Sequence, residues 1–352
     1  MTLVERVVLT PTDAPEAAAV ALAELGLGAL VPDTVVAFTG RNDNWAGTTD
    51  SGARVFVKRV AEAAALTRAH SFEVVSAGLR RLRSPRLLGA AQGLQVFELI
   101  EDANTGAELA ADDSFTDGLA SSIGEAIGEL HGAAADVERT VLAMPPLRRF
   151  TSLTVAEYTA MSGGELEFWR LVQRDSRLHA ALSELRADEA AAEAVPIHGD
   201  LRLDQLLVRG EEAHITDWEE FRLGDAARDI GSFAGEWVLH AMNAIVEHSD
   251  SEELAHEDVL ARGVEELTLR RPLISAFWRA YVRQRPVTDP ALPVRATAFA
   301  GWHLFDRMLA VAQQTHELPA TARAAAGVGR QMILSPQRFL ATVGLEEPVC
   351  AT

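Results

Sequence analysis

The apolar residues of this chain change period once, and that change limits what it can fold into. Up to about residue 100, runs rich in β-branched and aromatic residues recur: "DTVVAF" (33–38), "ARVFVKRV" (53–60), "PRLLGA" and "LQVFELI". These read as strands. A helix precedes them, "DAPEAAAVALAELG" (13–26), closed by glycine, and another lies among them at 61–81. Between the first two strands "TGRNDNWAGTTDSG" reads as a loop, because glycine, asparagine and threonine fill it. The turn-rich "EDANTGAEL" (101–109) ends this part. Beyond it the spacing is helical at 115–133, 153–190 in pieces, 234–248, 253–270, 273–284, 295–313 and 319–344. A single non-helical island interrupts it at 195–225. The expected fold is α+β in two lobes: 1–100 a small antiparallel sheet with a helix, and 101–352 a helical lobe carrying the island.

Charge and cysteine usage narrow the functional classes. A formal net charge of -19 repels phosphate backbones, so no nucleic-acid partner is expected. Cys350 is the one cysteine, which rules out a disulfide within the chain and fits a reducing, cytoplasmic setting. "MTLVERVVLT" has no apolar core of a signal peptide, and no run of uncharged apolar residues is long enough for a membrane span. The 32 Lys plus Arg are one lysine, Lys58, and 31 arginines. An ammonium is a compact point charge on a flexible stem, whereas a guanidinium is a wide planar fork. A position that keeps the ammonium in so arginine-rich a chain is a candidate functional site.

The island reads "VPIHGDLRLDQLLVRGEEAHITDWEEFRLGDAARDIGSF". Asp200 follows "IHG", Asp217 follows "HIT", and "QLLVRGEEAHIT" between them has the pattern of a tight hairpin. Both carboxylates can therefore meet at the hairpin's open end. With the Gln205 amide between them they could hold a hard divalent cation, magnesium above all, which takes few protein carboxylates and completes its shell with water and phosphate oxygens. The plain alternative is that each aspartate caps a turn or helix. Zinc is not expected, since the histidines are scattered and no paired Cys/His spacing occurs. The apolar sets Leu273, Phe277, Tyr281 and Phe299, Trp302, Phe305 recur at helical spacing and read as core. The acidic run at 247–258 reads as a solvated helix start.

"HGDLRLDQLL" followed by "ITDWEE" resembles the catalytic and metal-binding loops of the aminoglycoside phosphotransferase and choline kinase families, relatives of the protein kinases. The resemblance extends over most of the chain and implies a bilobal protein-kinase-like fold and an ATP- and Mg²⁺-dependent kinase. It places Lys58, in "VFVKRV", on the nucleotide's α/β phosphates and Glu73, in "SFEVV", as its partner. It makes "VFELIED" the hinge that meets adenine through the backbone of Glu98 and Ile100. Asp200 resembles the base that orients the attacking hydroxyl, Arg202 a holder of the γ-phosphoryl, and Asp217 the main metal ligand. "GRNDNWAG" (40–47) occupies the phosphate-covering loop with Asn42 and Asn44, two of the chain's four asparagines. His198 and Asp229 would brace the loops. The family's metal-binding asparagine is Gln205 here, one methylene longer; this opens a reading as an inactive pseudokinase, against which Lys58, Glu73, Asp200 and Asp217 all remain.

"GRNDNWAG", "HGDLRLDQ" and "DWEEFRLGD" together are similar to the K-type kinase subunits of class V lanthipeptide synthetases. That resemblance implies phosphorylation of Ser and Thr in a ribosomal precursor peptide, with a partner lyase subunit eliminating the phosphate. Two alternatives stay open. One is a small-molecule kinase acting on an aminoglycoside, amino alcohol or sugar; the other is a non-catalytic scaffold subunit.

Overall fold

The computed structural model describes residues 16–38, 44–60, 63–137, 145–247 and 256–346. In chain order its elements are α1 (Glu16–Glu24), β1 (Val36–Phe38), β2 (Asn44–Thr48), β3 (Arg54–Arg59), α2 (Ala63–Ser76), β4 (Leu87–Ala91), β5 (Leu94–Glu98) and β6 (Asn104–Thr105). There follow α3 (Gly106–Ala111), α4 (Asp117–His131), α5 (Val155–Ala160), α6 (Gly163–Gln173) and α7 (Ser176–Ala191). The island supplies β7 (Ala194–Ile197), β8 (Leu206–Arg209), β9 (Glu212–Ile215) and β10 (Arg222–Asp225). The chain closes with α8 (Ala227–Glu247), α9 (His256–Gln284), α10 (Leu292–Ala312) and α11 (Ala320–Leu334).

The chain groups into two compact units. The first is Met1–Gly106 with Gln205–Phe221; the second is Ala107–Asp204 with Arg222–Thr352. The sequence pattern puts the lobe boundary near residue 100, with 205–221 in the helical part. These residues group instead with the first unit, because β8 and β9 form a hairpin whose first strand pairs with β6.

In the first unit an antiparallel sheet runs in the order β1-β2-β3-β5-β4. Val55 and Val57 of β3 and Leu94 and Val96 of β5 are fully buried, and they cluster with Ala18, Ala21 and Leu22 of α1. Alternation then turns Lys58 to the opposite face. The expected loop before β3 contains a strand, β2, paired on both sides, to β1 and to β3. Its sequence NWAGT mixes Trp45 and Thr48, which suit a strand, with asparagine and glycine, which do not, and pairing on both sides makes it one.

The second unit is mainly helical, with the two-stranded pair β10-β7 beside the island's catalytic-type loop. The two helices expected at 253–270 and 273–284 are one, α9, which continues through Pro272. Phe277, Tyr281, Phe299, Trp302 and Phe305 are buried as core, and Leu273 is half-buried. Most of the acidic run at 247–258 lies outside the described residues, as does Cys350. No helix among the described residues is long and apolar enough to cross a membrane.

Candidate active site

Lys58 opens the site in the first unit. Register places it directly across from Asn44 on β2 and Gln95 on β5, so the three side chains form a polar row on one face of the sheet. Asn42 lies outside the described residues. The Asn44 side-chain oxygen is buried with no hydrogen-bond partner among the described residues. An amide in that state can be turned to offer its NH₂ to an anion. Gln95, 4% exposed, was not singled out in the sequence; only the strand register reveals it.

The Lys58 ammonium pairs with the Asp217 carboxylate and, at 3.0 Å, with Glu219 Oε2. Its side chain is 13% exposed. Burial alone would lower the lysine pKa, but the two carboxylates outweigh it and the net direction is upward, so the group stays charged. Glu73, expected as the partner, is not among the lysine's contacts in the described residues. Its half-buried carboxyl is instead raised in pKa by desolvation, opposed only by His70. The sequence pattern does not mark Glu219 as the lysine's partner, although "DWEE" places an acid two residues after Asp217.

The backbone holds Asp217 in place at a cost. It sits in the left-handed region, φ 69 and ψ 52, immediately before a 3-10 turn over Trp218–Glu220. Aspartate tolerates this conformation better than most residues. The Trp218 ring stacks on Phe72 of α2 with centroids 3.6 Å apart, and its indole N–H donates to the Ile215 carbonyl at 3.0 Å. The Arg68 guanidinium donates to the Glu219 carbonyl. Gln205, 4% exposed, donates its side-chain NH₂ to Asp217 Oδ2 at 3.3 Å. Its backbone carbonyl accepts from both the backbone N–H and the hydroxyl of Thr216, at 2.9 Å each. Carboxylate and amide thus touch, and rotation of the amide would put two oxygens on one hard cation. That donor set fits a divalent ion that brings phosphate and water as its other ligands. Among the described residues no group of three His, Cys, Asp or Glu side chains forms a cage that would serve a metal by itself.

The expected hinge is in the same unit. The Glu98 N–H is used on the Arg86 carbonyl at 3.0 Å, and the Leu99 N–H on the Arg54 carbonyl at 3.1 Å. The Glu98 side chain accepts from the Arg86 N–H at 3.1 Å. Ile100 follows the end of β5 in irregular backbone.

The second unit holds Asp200 and Arg202. Gly199, at φ 89, makes the turn that a side chain would strain. The buried Asp229 carboxylate accepts from the N–H groups of His198 (2.7 Å) and Gly199 (2.8 Å), and His131 Nε2 lies 3.1 Å from its Oδ2. His131 Nδ1 lies 3.0 Å from the Tyr281 hydroxyl, which accepts from Arg285 at 3.2 Å. Burial pushes the tyrosine pKa up to about 12. Burial would also raise Asp229, but hydrogen bonds from His131 and the loop hold it below the ordinary range. The Asp200 N–H donates to His198 Nδ1 at 3.3 Å. His198 and Asp229 are therefore braces.

The Asp200 side chain is 36% exposed, and its carboxyl lies 3.2 Å from Arg202, which also donates to Asp204 at 3.0 Å. Surrounding protein desolvates the carboxyl and raises its pKa, with Arg202 and then Arg307 opposing. An elevated carboxylate is a better proton acceptor.

The sequence matches the APH phosphotransferase enzyme family over residues 34–266, and the chain belongs to that family. It has the protein-kinase-like fold and is an ATP-dependent phosphotransferase. No protein of curated function matches it. Among solved structures it is similar to the amicoumacin kinase hAmiN in complex with AMP-PNP, Ca²⁺ and Ami, at 13% identity and TM-score 0.56 over 90% of this chain and 92% of that one. It is also similar to a choline/ethanolamine kinase family protein from Mesorhizobium loti, at 16% identity and TM-score 0.51 over 89% and 90%. A glucosamine kinase matches at 17% identity and TM-score 0.51 over 82% and 77%.

Proposed function

We propose that this phosphotransferase moves the γ-phosphoryl group of Mg·ATP to Ser and Thr hydroxyls of a ribosomal precursor peptide. The acceptor oxygen bonds to the terminal phosphorus as the bond to the bridging oxygen of ADP breaks, and the hydroxyl proton passes to Asp200. Lys58, Asn44 and Asn42 bind phosphate, and Glu98 and Ile100 meet the base through their backbone. Arg202 steadies the transferring group. A divalent cation held by Asp217 and Gln205 would neutralise phosphate charge. The observation that supports phosphoryl transfer best is the convergence of Lys58, Asp217 and Gln205 in one unit. The acceptor rests on the "GRNDNWAG", "HGDLRLDQ" and "DWEEFRLGD" resemblance.

Incubating the chain with ATP and a candidate Ser/Thr-rich precursor peptide should add about 80 Da per modified residue, and adding a candidate lyase should turn this into a net loss of about 18 Da. An unchanged peptide mass in both mixtures, with ATP consumed on an amino alcohol, aminoglycoside or sugar, would move the assignment to a small-molecule kinase. That second reading is favoured by the solved structures, which are named as kinases of amicoumacin, choline or ethanolamine, and glucosamine.

The Gln205 departure has its own test. Gln205→Asn should keep turnover within about tenfold, roughly 1.4 kcal/mol of barrier, because the carbonyl oxygen remains. Gln205→Ala should cost much more and weaken metal-dependent nucleotide binding by calorimetry. An alanine variant equal to wild type would remove Gln205 from the metal site.

A further inference from the structure

The loop from His198 to Gln205 lies between strands and has no ladder to hold it. Its amides are held by side chains, and two of these come from one helix. Asp229, near the start of α8, takes the N–H groups of His198 and Gly199 at the upstream end. Glu236 of the same helix takes the Leu203 N–H at 3.0 Å at the downstream end. Seven residues separate the two carboxylates, close to two helical turns, so they share a face about 10 Å apart along the axis.

Glu236 has a second contact. Its Oε1 lies 2.6 Å from Nε2 of His303 on α10, and the side chains are 13% and 5% exposed. Burial by itself would raise the carboxyl, but the His303 hydrogen bond and charge, with the Leu203 N–H, hold it at about 2. It is therefore ionised, and the imidazole donates. α8 and α10 must approach closely for the pair to meet. A Cβ at Gly235 would lie 2.7 Å from the His303 Cβ and 3.0 Å from the Ala300 carbonyl, so only glycine fits there. One turn beyond His303, α10 carries Asp306 and Arg307, and both act on the Asp200 carboxyl.

We propose that Glu236 and His303 form a positioning clasp, a buried carboxylate–imidazole pair that pins the Leu203 amide and so fixes the Asp200 loop against α8 and α10. A buried carboxylate bonded to an imidazole is a poor choice if only stability is needed, since apolar residues of the same volume fill such a space as well. The third contact, to a loop amide three residues after Asp200 and two before Gln205, is what an apolar pair could not supply. The clasp also sets the register of α10 and thereby the placement of Asp306 and Arg307 beside Asp200. Glu236 and His303 are positioning residues for the transfer reaction, and this role rests on Asp200 as its base.

Hydrogen–deuterium exchange of the full chain, read by mass spectrometry on peptides, tests the clasp without any substrate. In Glu236→Gln and His303→Gln, the segment 200–205 should exchange at least tenfold faster while α8 and α10 keep wild-type protection. Turnover of Mg·ATP to ADP should fall tenfold or more in kcat, with KM for ATP within twofold. Glu236→Asp, which keeps the charge, should recover part of the loop protection. Unchanged exchange at 200–205, or loosening spread evenly over α8 and α10, would overturn the proposal. Asp200→Asn separates it from the base assignment: that variant should lose turnover while the loop's exchange stays that of wild type. If Asp200→Asn kept its turnover and the clasp variants still loosened the loop, the base assignment would fail and the clasp would stand as a structural brace only, without the positioning role.

Discussion

An Asp200→Asn protein should bind Mg·ATP as wild type does and transfer the phosphoryl group roughly 10³-fold more slowly, about 4 kcal/mol of barrier. Asparagine has the same shape and cannot take the proton. The loop should not move, because its anchors are elsewhere: the N–H groups of His198 and Gly199 on Asp229, and that of Leu203 on Glu236. Calorimetry with nucleotide checks the binding half, and acceptor mass against time checks the transfer. The pH profile adds a separate readout. Desolvation raises the Asp200 carboxyl, against Arg202 and Arg307, so the wild-type rate should climb with pH through a midpoint above the ordinary carboxylate value. Below that midpoint the base is protonated and idle. The variant should lack this limb. A rate for the Asp200→Asn protein within tenfold of wild type would remove Asp200 from the role of base.

Local chemistry made much of this architecture readable before any coordinates. The β-branched runs became β1, β3 and β5, and Gly210, at φ 62, turns the hairpin between β8 and β9. Lys58 stood out by its rarity, and Asp200 and Asp217 by their loops. What could not be read depends on lateral or distant contacts. β2 is a strand because two neighbours pair with it, and its asparagine and glycine hide the β signal of Trp45 and Thr48. Gln95 joins the Lys58 row only through the register of β5, and a shift of one residue would turn it away. Glu236 and His303 are 67 positions apart, and helical periodicity marks them merely as polar residues near a buried face. The expected Lys58–Glu73 pair shows the limit of analogy. Phe72, its neighbour, is spent stacking on Trp218, and the carboxylates that reach the ammonium come from the turn after Asp217 and from Asp217 itself.

Lys58→Arg should lower Mg·ATP turnover by roughly 10²–10³-fold, although the positive charge is kept. The ammonium lies between Asp217 and Glu219, and a point charge can shift from one partner to another by rotating its stem. A guanidinium would engage the same carboxylates through two parallel hydrogen bonds, a stronger and more rigid contact. It would hold Asp217 against the incoming cation and present phosphate with a wide plane where Asn44 and Gln95 flank a narrow row. Thermal stability should stay level or rise, so the loss cannot be ascribed to unfolding. Metal-dependent nucleotide binding by calorimetry should fall with turnover. Glu219→Gln should weaken that binding as well, because Glu219 would be the carboxylate left on Lys58 if Asp217 held a metal. Glu73→Gln should stay within about twofold of wild type, its carboxyl having no contact with the lysine to lose. Turnover by Lys58→Arg within tenfold of wild type would mean that the lone lysine among 31 arginines is an accident of composition. Equal losses in Glu73→Gln and Glu219→Gln would return the lysine's partner to α2.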